Sequence, residues 1–353
     1  MNLNERLGER AIFVTGADGF VGSHLVDELV KHDAEVHAFV RATSSGELNN
    51  IRHQSKEICV HRGDLRDQHS VTRALSELKN YDEVLVFHLG AQAHVGESWE
   101  RPYETIETNV TGTLNLLQTI VDLDLDISKF DTAGTSEEYG NIKQEMVDKH
   151  EYGDGGRVIL NERSPVNPKS LYATSKIAAD FLTMNYYDAY NIPTVTTRMF
   201  NNYGPRQNPR YITGTIITQA LEREKVKLGN LTPKRDMCYV SDGVRGHLHV
   251  ALEGNSGEQY VYGYGRNISM YDWTTKILEV GSEHGYWDDP EIVQSEDRYR
   301  PGESDVEELL VGHEKLSQET GWEPHVDWHE GIYETIDWYA HNKSKWYGRV
   351  DWR

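Results

Sequence analysis

From Ala11 onward, short apolar runs and amphipathic stretches take turns along the chain. AIFVTG reads as a strand, the apolar positions from about residue 20 to 32 recur at helical spacing, and EVHAFV and EICVHRGDL read as two more strands. A helix is expected from about 67 to 79, a strand at EVLVFHLG, a long helix from about 103 to 122, and a short strand from Lys129 to Ala133. A further helix runs to about Tyr190, and IPTVTTRMF then restores the strand pattern. Strands that alternate with helices in this way pair in parallel, because each helix carries the chain back across a sheet face. The expected fold is α/β, a doubly wound parallel sheet. Its ligands belong outside the carboxyl ends of the strands.

Beyond Pro205 the alternation loosens, and amphipathic pieces such as TGTIITQALERE and MYDWTTKILEVG predict a smaller mixed α/β substrate lobe. The division expected is a dinucleotide-binding part at 1–200 with a returning segment at about 236–262, and a substrate lobe from 201–235 and 263–353. The polar stretch from Asn141 to Lys169 is longer than an ordinary connector, and reads as a substrate lid or as a surface excursion.

The 353 residues, 37% hydrophobic and 10% aromatic, are enough to bury a large core. With 36 basic against 57 acidic residues the formal charge is −21, which repels phosphate backbones and anionic lipid, so neither nucleic acid nor membrane is an expected partner. The acidic excess suits a high-salt cytoplasm and equally an ordinary acidic enzyme. Cys59 and Cys238 are too few for a disulfide framework, and with no signal-peptide pattern and no membrane-length apolar run a cytoplasmic setting is expected. The 16 histidines show no paired ligand spacing, His247-x-His249 included, so no metal is expected.

Two local patterns carry chemistry. In VTGADGFVGSHL the glycines Gly16, Gly19 and Gly22 fall where a strand turns into a helix; without side chains they let a pyrophosphate approach the backbone and the helix N-terminus. Tyr172 and Lys176, in LYATSKIAAD, stand four apart on a predicted helix, and so share a face. An ammonium there favours phenolate, which makes the phenol a general base for an alcohol proton. The end of the second strand reads Val40-Arg41-Ala42-Thr43-Ser44, without a carboxylate for a ribose 2′-hydroxyl, so NADP is expected, with Arg41 and Ser44 near its 2′-phosphate. The alternative is an exposed Arg41 beside NAD.

The segments GADGFVGSH, HLGAQAHV, TNVTGT, GTSEEYG, YATSK, FNNYGPRQ, RDMCYVSD and RPGESDVEELL occur in that order. Together they resemble the NAD(P)-dependent nucleotide-sugar epimerases and dehydratases of the extended short-chain dehydrogenase/reductase family, which have a Rossmann-type sheet. The resemblance implies a cofactor cradle of Gly16, Asp18, Gly19, Phe20, Val21 and Gly22, with Asp64 and Leu65 at the adenine. Leu89, Ala91, Gln92 and Thr108 would form its wall, and Tyr172 and Lys176 would reach the nicotinamide end. His94, Asn201, Asn202, Arg206, Arg235 and Arg300 would face the sugar diphosphate, whose oxygens suit the planar fork of arginine. A structural ion pair is the other reading of Arg300.

The triplet Thr135-Ser136-Glu137 looks most like the 4,6-dehydratase branch, in the version found in GDP-mannose enzymes and some dehydratases of N-acetylated sugars. The rest of the cradle departs from the GDP-mannose pattern and leaves the nucleotide open. The implied reaction converts an NDP-hexose to its 4-keto-6-deoxy form. Tyr172 takes the C4 hydroxyl proton, Thr135 bonds the new carbonyl, Glu137 removes the C5 proton, Ser136 or a water helps the C6 hydroxyl leave, and the tightly bound cofactor is recycled. The competing readings are a 4-epimerase that needs no Glu137, a non-catalytic NAD(P)-binding protein, a simple ketone reductase that would consume NADPH, and a Glu137 that is only a solvated carboxylate. The family also implies a homodimer, or a dimer of dimers, through helices near 103 to 122 and 170 to 190.

Overall fold

A computed structural model describes residues 3–8, 10–141, 151–153, 156–296 and 306–347. The first part lays down strands β1 (Ala11–Thr15), β2 (Glu35–Arg41), β3 (Cys59–Gly63), β4 (Val84–His88) and β5 (Ile127–Thr135), with helices α1 (Phe20–Lys31), α2 (Gln68–Ser76) and α3 (Gly112–Leu123) between them. A small hairpin, β6 (Glu151–Tyr152) and β7 (Val158–Ile159), precedes α4 (Leu171–Tyr190), β8 (Thr194–Met199) and β9 (Asn201–Tyr203). There follow α5 (Ile212–Ala220), β10 (Lys225–Leu228), β11 (Lys234–Tyr239), α6 (Val240–Glu253), β12 (Gln259–Tyr262), β13 (Asn267–Ser269), α7 (Met270–Glu283), β14 (Glu291–Gln294) and α8 (Trp328–His341), with short helical turns elsewhere.

Seven strands form one Rossmann-type sheet in the order β12-β8-β5-β4-β1-β2-β3, and each adjacent pair is parallel. The order reverses between β1 and β4, which is where such a sheet opens a ligand crevice. Alternate residues of a strand serve opposite faces. Ile12 and Val14 of β1 pack on one face with Leu25 and Leu29 of α1 and Leu248 of α6. Ala11 and Phe13 pack on the other with Leu75 of α2, Leu116 of α3 and Tyr186 of α4. Helices on both faces explain why β1 and β4 are buried along their whole length.

The smaller lobe has its own sheets, β13-β11-β9 and β10-β14, around a core that includes the fully buried Trp273, Ile216, Tyr203 and Ile336. The chain leaves the large sheet after Met199, enters β9 at Asn201, and runs from β11 straight into α6 against the large sheet. The cleft therefore lies where these crossings hold the two lobes together.

Two elements differ from expectation. The helix expected over 103–122 is a short helix, Pro102–Ile106, joined to α3 by a π turn at Glu107–Thr111. Inside that turn Asn109 donates to Gln92 O (3.0 Å) and Ser175 Oγ (2.8 Å) and accepts from Gln92 N (2.8 Å). The wide turn thus serves the β4 loop and α4 together, a use typical of such turns. The strand expected at 129–133 runs from Ile127 to Thr135. Its polar interior hides it from an apolar pattern: Asp131 is fully buried, accepts from Thr197 Oγ1 at 2.6 Å and faces His247 Nδ1 at 2.6 Å. His249 instead faces Thr320 O, so the two histidines do not converge. Among the described residues no helix is long and apolar enough to cross a membrane.

Candidate active site

β5 ends at Thr135 and passes at once into a tight turn, Ser136–Glu138. Two adjacent acids in a polar loop suggest solvent, yet Glu137 is 8% exposed and Glu138 is 0% exposed. Glu138 caps its own turn, accepting from Thr135 N through Oε1 at 2.8 Å. Its Oε2 lies 2.9 Å from Arg198 Nε, whose hydrogen bond goes to Asp180 Oδ2 at 3.0 Å. Arg198 also reaches Asp180 at 2.6 Å, and Gln259 donates to both oxygens of that carboxylate. This buried network pins the turn from behind, and Glu137 is left lining the cleft with Thr135, Ser136, Tyr172 and Lys176.

Ser170 starts α4 by accepting from Ala173 N at 3.0 Å, which fixes the first turn that carries Tyr172. Burial pushes the Tyr172 phenol well above its ordinary range; Tyr211, Glu138 and Glu137 push the same way, and a hydrogen bond with Thr135 opposes them. Burial also lowers Lys176, against the pull of Glu138 and Asp180. The lysine–tyrosine spacing therefore does not by itself make phenolate the resting form. Glu138 is pushed up to about 7 by burial, opposed chiefly by Arg198 and reinforced by Asp180.

The cleft, about 1640 Å³, runs between the lobes and is lined by every residue expected at cofactor or substrate except Ser44 and Arg300. Ser44 is exposed and off the lining, and Arg300 lies outside the described residues. At the cofactor end Gly16 has φ 66°, and a Cβ there would meet Gly90 N at 2.8 Å, so the turn accepts only glycine. A Cβ at Gly22 would sit 2.2 Å from Gly16 O. The first turn of α1 has no side-chain cap and no acidic residue, which fits a diphosphate at those amides. Asp18 is occupied in holding the following loop, accepting from the backbone of Asn49, Asn50 and Ile51. Asp64 is held by Arg66, at 2.9 Å from Nε and 2.6 Å from a terminal nitrogen, and this hydrogen bonding keeps its carboxyl below the usual range.

At the end of β2 the structure supplies what the local sequence lacks. Arg41 donates to Glu104 Oε1 at 2.9 Å, so a carboxylate from the Pro102–Ile106 helix stands beside the expected 2′-phosphate position. Sequence reasoning missed it because it searched only β2 and the residues just after it.

On the substrate side, the Oδ1 atoms of Asn201 and Asn202 are buried without a hydrogen-bond partner, and Asn202 Nδ2 donates to Tyr262 Oη at 2.9 Å. Arg206, in a left-handed backbone conformation, directs one guanidinium nitrogen to Asp27 Oδ2 at 2.6 Å, and thereby ties the smaller lobe to α1. Arg235 is 6% exposed and donates to Lys234 O. His94 Nδ1 accepts from Glu97 N at 3.1 Å, and its ring meets Tyr211 edge-on. Tyr211, also missed, donates to Ala93 O at 3.0 Å across the cleft. Of the 141–169 segment, residues 142–150 and 154–155 lie outside the described residues, while β6 pairs with β7 and Leu160 is buried against Val311 and Phe200.

The family model described as GDP-mannose 4,6 dehydratase matches residues 13–335. The dTDP-glucose 4,6-dehydratase of Xanthomonas campestris is 31% identical over 352 residues, covering 96% of this chain and 95% of the relative. The solved structure of DesIV, the dTDP-glucose 4,6-dehydratase of Streptomyces venezuelae, superposes with TM-score 0.82 at 27% identity over 96% of this chain and 99% of that one. The UDP-glucose 4-epimerase of Thermus thermophilus superposes with TM-score 0.78 at 28% identity over 94% and 99%. Both solved structures hold NAD. The expectation of NADP is thereby overturned, and the physical reason is at hand: Glu104 occupies Arg41 and would repel a 2′-phosphate.

Proposed function

This chain belongs to the NAD(P)-dependent sugar-nucleotide epimerase and dehydratase superfamily, and from that premise we propose that it is a 4,6-dehydratase, converting an NDP-hexose to the NDP-4-keto-6-deoxy sugar. The observation that carries this reading is Glu137, a mostly buried carboxylate on the cleft wall two residues after Thr135. An epimerase has no work for it.

The glycine turn and the uncapped amides of α1 would hold NAD, with Leu65, Leu89, Ala91, Gln92 and Thr108 along it. When bound, NAD supplies the acceptor for the C4 hydride, a cationic ring that favours phenolate, and later the hydride for C6. Tyr172 takes the C4 hydroxyl proton, and Thr135, already its hydrogen-bond partner, donates to the new carbonyl oxygen. Lys176 would hold the cofactor's ribose and add positive charge. The ketone acidifies C5, and Glu137 removes that proton. The C6–O bond then breaks, and the hydroxyl leaves as water with a proton relayed through Glu137 and Ser136; as C6 receives hydride, C5 regains a proton drawn from solvent through Glu137, and Tyr172 returns its own proton to solvent. Asn201, Asn202 and Arg235 hold the diphosphate side. Arg206, bound to Asp27, serves first to keep the lobes in register.

Incubation with UDP-, GDP-, dTDP- and CDP-hexoses, read by product mass, tests the reaction. The expected product is lighter by one water. A product of unchanged mass favours the 4-epimerase reading, which likeness to the Thermus enzyme keeps as the second choice.

Two further outcomes follow from the same geometry. Glu104→Gln is expected to narrow the preference for NAD over NADP by about tenfold, the factor that about 1.4 kcal/mol of removed repulsion represents; comparative dissociation constants for the two cofactors measure it. We also assign a homodimer to the face formed by α4 and the helices before it, where Phe181 is 56%, Tyr103 83% and Tyr190 52% exposed. Light scattering should give twice the chain mass, and Phe181→Glu should give the single-chain mass.

A further inference from the structure

We propose that Glu35, His37 and Cys59 form a binding site for one zinc ion at the N-terminal ends of β2 and β3, on the rim of the sheet opposite the active site. One donor atom from each of the three lies within 4.8 Å of the other two. Glu35 and His37 are two apart on β2 and so share a face, and Cys59 is the register partner of His37 on β3. Only the pairing of the strands brings these residues together, which is why their spacing along the chain carries no metal signature.

The second observation is the state of the His37 ring. Its side chain is 3% exposed, and its Nε2 is buried without a hydrogen-bond partner, 3.7 Å from Glu35 Oε1. Its Nδ1 lies 3.0 Å from His61 Nε2, and the two rings stack with an interplanar angle of 10°. His61 Nδ1 in turn faces Glu77 Oε1 at 3.8 Å. Neither carboxylate is within hydrogen-bond reach of these rings, so the tautomer turns on the 3.0 Å ring-to-ring bond, and where His37 Nδ1 donates to His61 Nε2 the outer nitrogen of His37 holds a lone pair. In that tautomer His37 Nε2 offers its lone pair beside the Glu35 carboxylate, with Cys59 in the same cluster. A ligating histidine is characteristically oriented in this manner, its other nitrogen donating to a fixed acceptor. Glu35 is steadied as well, since Tyr81 donates its hydroxyl to Oε1 and packs edge-on against His37.

The donor set chooses the ion. Thiolate, imidazole and carboxylate suit zinc, a borderline-soft cation that is satisfied by three protein ligands and water. With a metal–ligand bond of about 2.0–2.3 Å, tetrahedral donors stand roughly 3.2–3.8 Å apart, so the exposed Cys59 and the partly exposed Glu35 need move only about 1 Å toward the fixed His37. As the zinc–sulfur bond forms, the thiol gives its proton to solvent. The ion would then clip β3, an edge strand of the sheet, to β2.

The full chain, stripped with a chelator, is titrated with zinc by calorimetry and with cobalt(II) by absorption. The expected result is one ion per chain at about micromolar affinity or tighter, with a near-ultraviolet thiolate-to-cobalt band. Cys59→Ser should abolish the band and weaken zinc at least about 100-fold, while His69→Ala, an exposed histidine outside the cluster, should leave both unchanged. Absence of the band from the unaltered chain, or equal zinc affinity in Cys59→Ser, overturns the site.

Discussion

Replacing Glu137 by glutamine is expected to slow release of the dehydrated sugar by about 10²- to 10⁴-fold, the usual contribution of a positioned general base. The amide keeps the size and much of the hydrogen bonding of the carboxylate but cannot take the C5 proton. Tyr172, Lys176 and Thr135 remain, so oxidation at C4 should still run, and reduced nicotinamide should build up during a single turnover. That split distinguishes a lost base from a collapsed site. If the variant instead keeps its turnover within about threefold, Glu137 is a bystander and the epimerase reading gains.

The largest expected effect on stability comes from Arg198→Met. It removes the guanidinium set between Glu138 and Asp180, all three being almost wholly buried. Breaking such a cluster on one side typically costs about 3–5 kcal/mol, because the partners remain as uncompensated charge. Glu138 would respond by taking up a proton, for burial already holds it near pH 7. Urea unfolding at pH 7.5 measures the loss, and a change below about 1 kcal/mol would contradict the network described here. Turnover should fall as well, since Glu138 holds Thr135 N and so aims the turn that bears Glu137. A triple variant that adds Glu138→Leu and Asp180→Leu should regain part of the stability, the rest remaining lost because buried Lys176 is left without its two carboxylates. It should not regain activity, because the bond to Thr135 N is gone.

The features legible in the chain were those whose partners are near in sequence. The glycine turn announces itself because strand, turn and helix follow within a dozen or so positions, and Tyr172 and Lys176 because one helical turn joins them. The parallel sheet followed from alternation alone, since strands buried on both faces are apolar throughout. What escaped was set by residues far apart. Glu104 reaches Arg41 across 63 positions, so a rule confined to the end of β2 chose the wrong cofactor. Glu138 looked like half of a solvated acidic pair, because its partners Arg198 and Asp180 come from β8 and α4. β5 was cut short for the same reason: Asp131 breaks the apolar pattern, and Thr197 and His247 satisfy it only in the fold. The π turn at Glu107–Thr111 has no periodic signature, since one turn of altered pitch barely shifts the apolar positions around it.

The proposed dehydratase differs from an epimerase in one carboxylate, Glu137, which would divert the 4-keto sugar from simple reversal into elimination. The most direct test is to supply the accepted nucleotide sugar with deuterium at C4 and read the product by mass spectrometry and proton NMR. The expected product has lost water and carries the label at C6. A product of unchanged elemental composition, with the deuterium back on C4, would contradict the dehydratase reading.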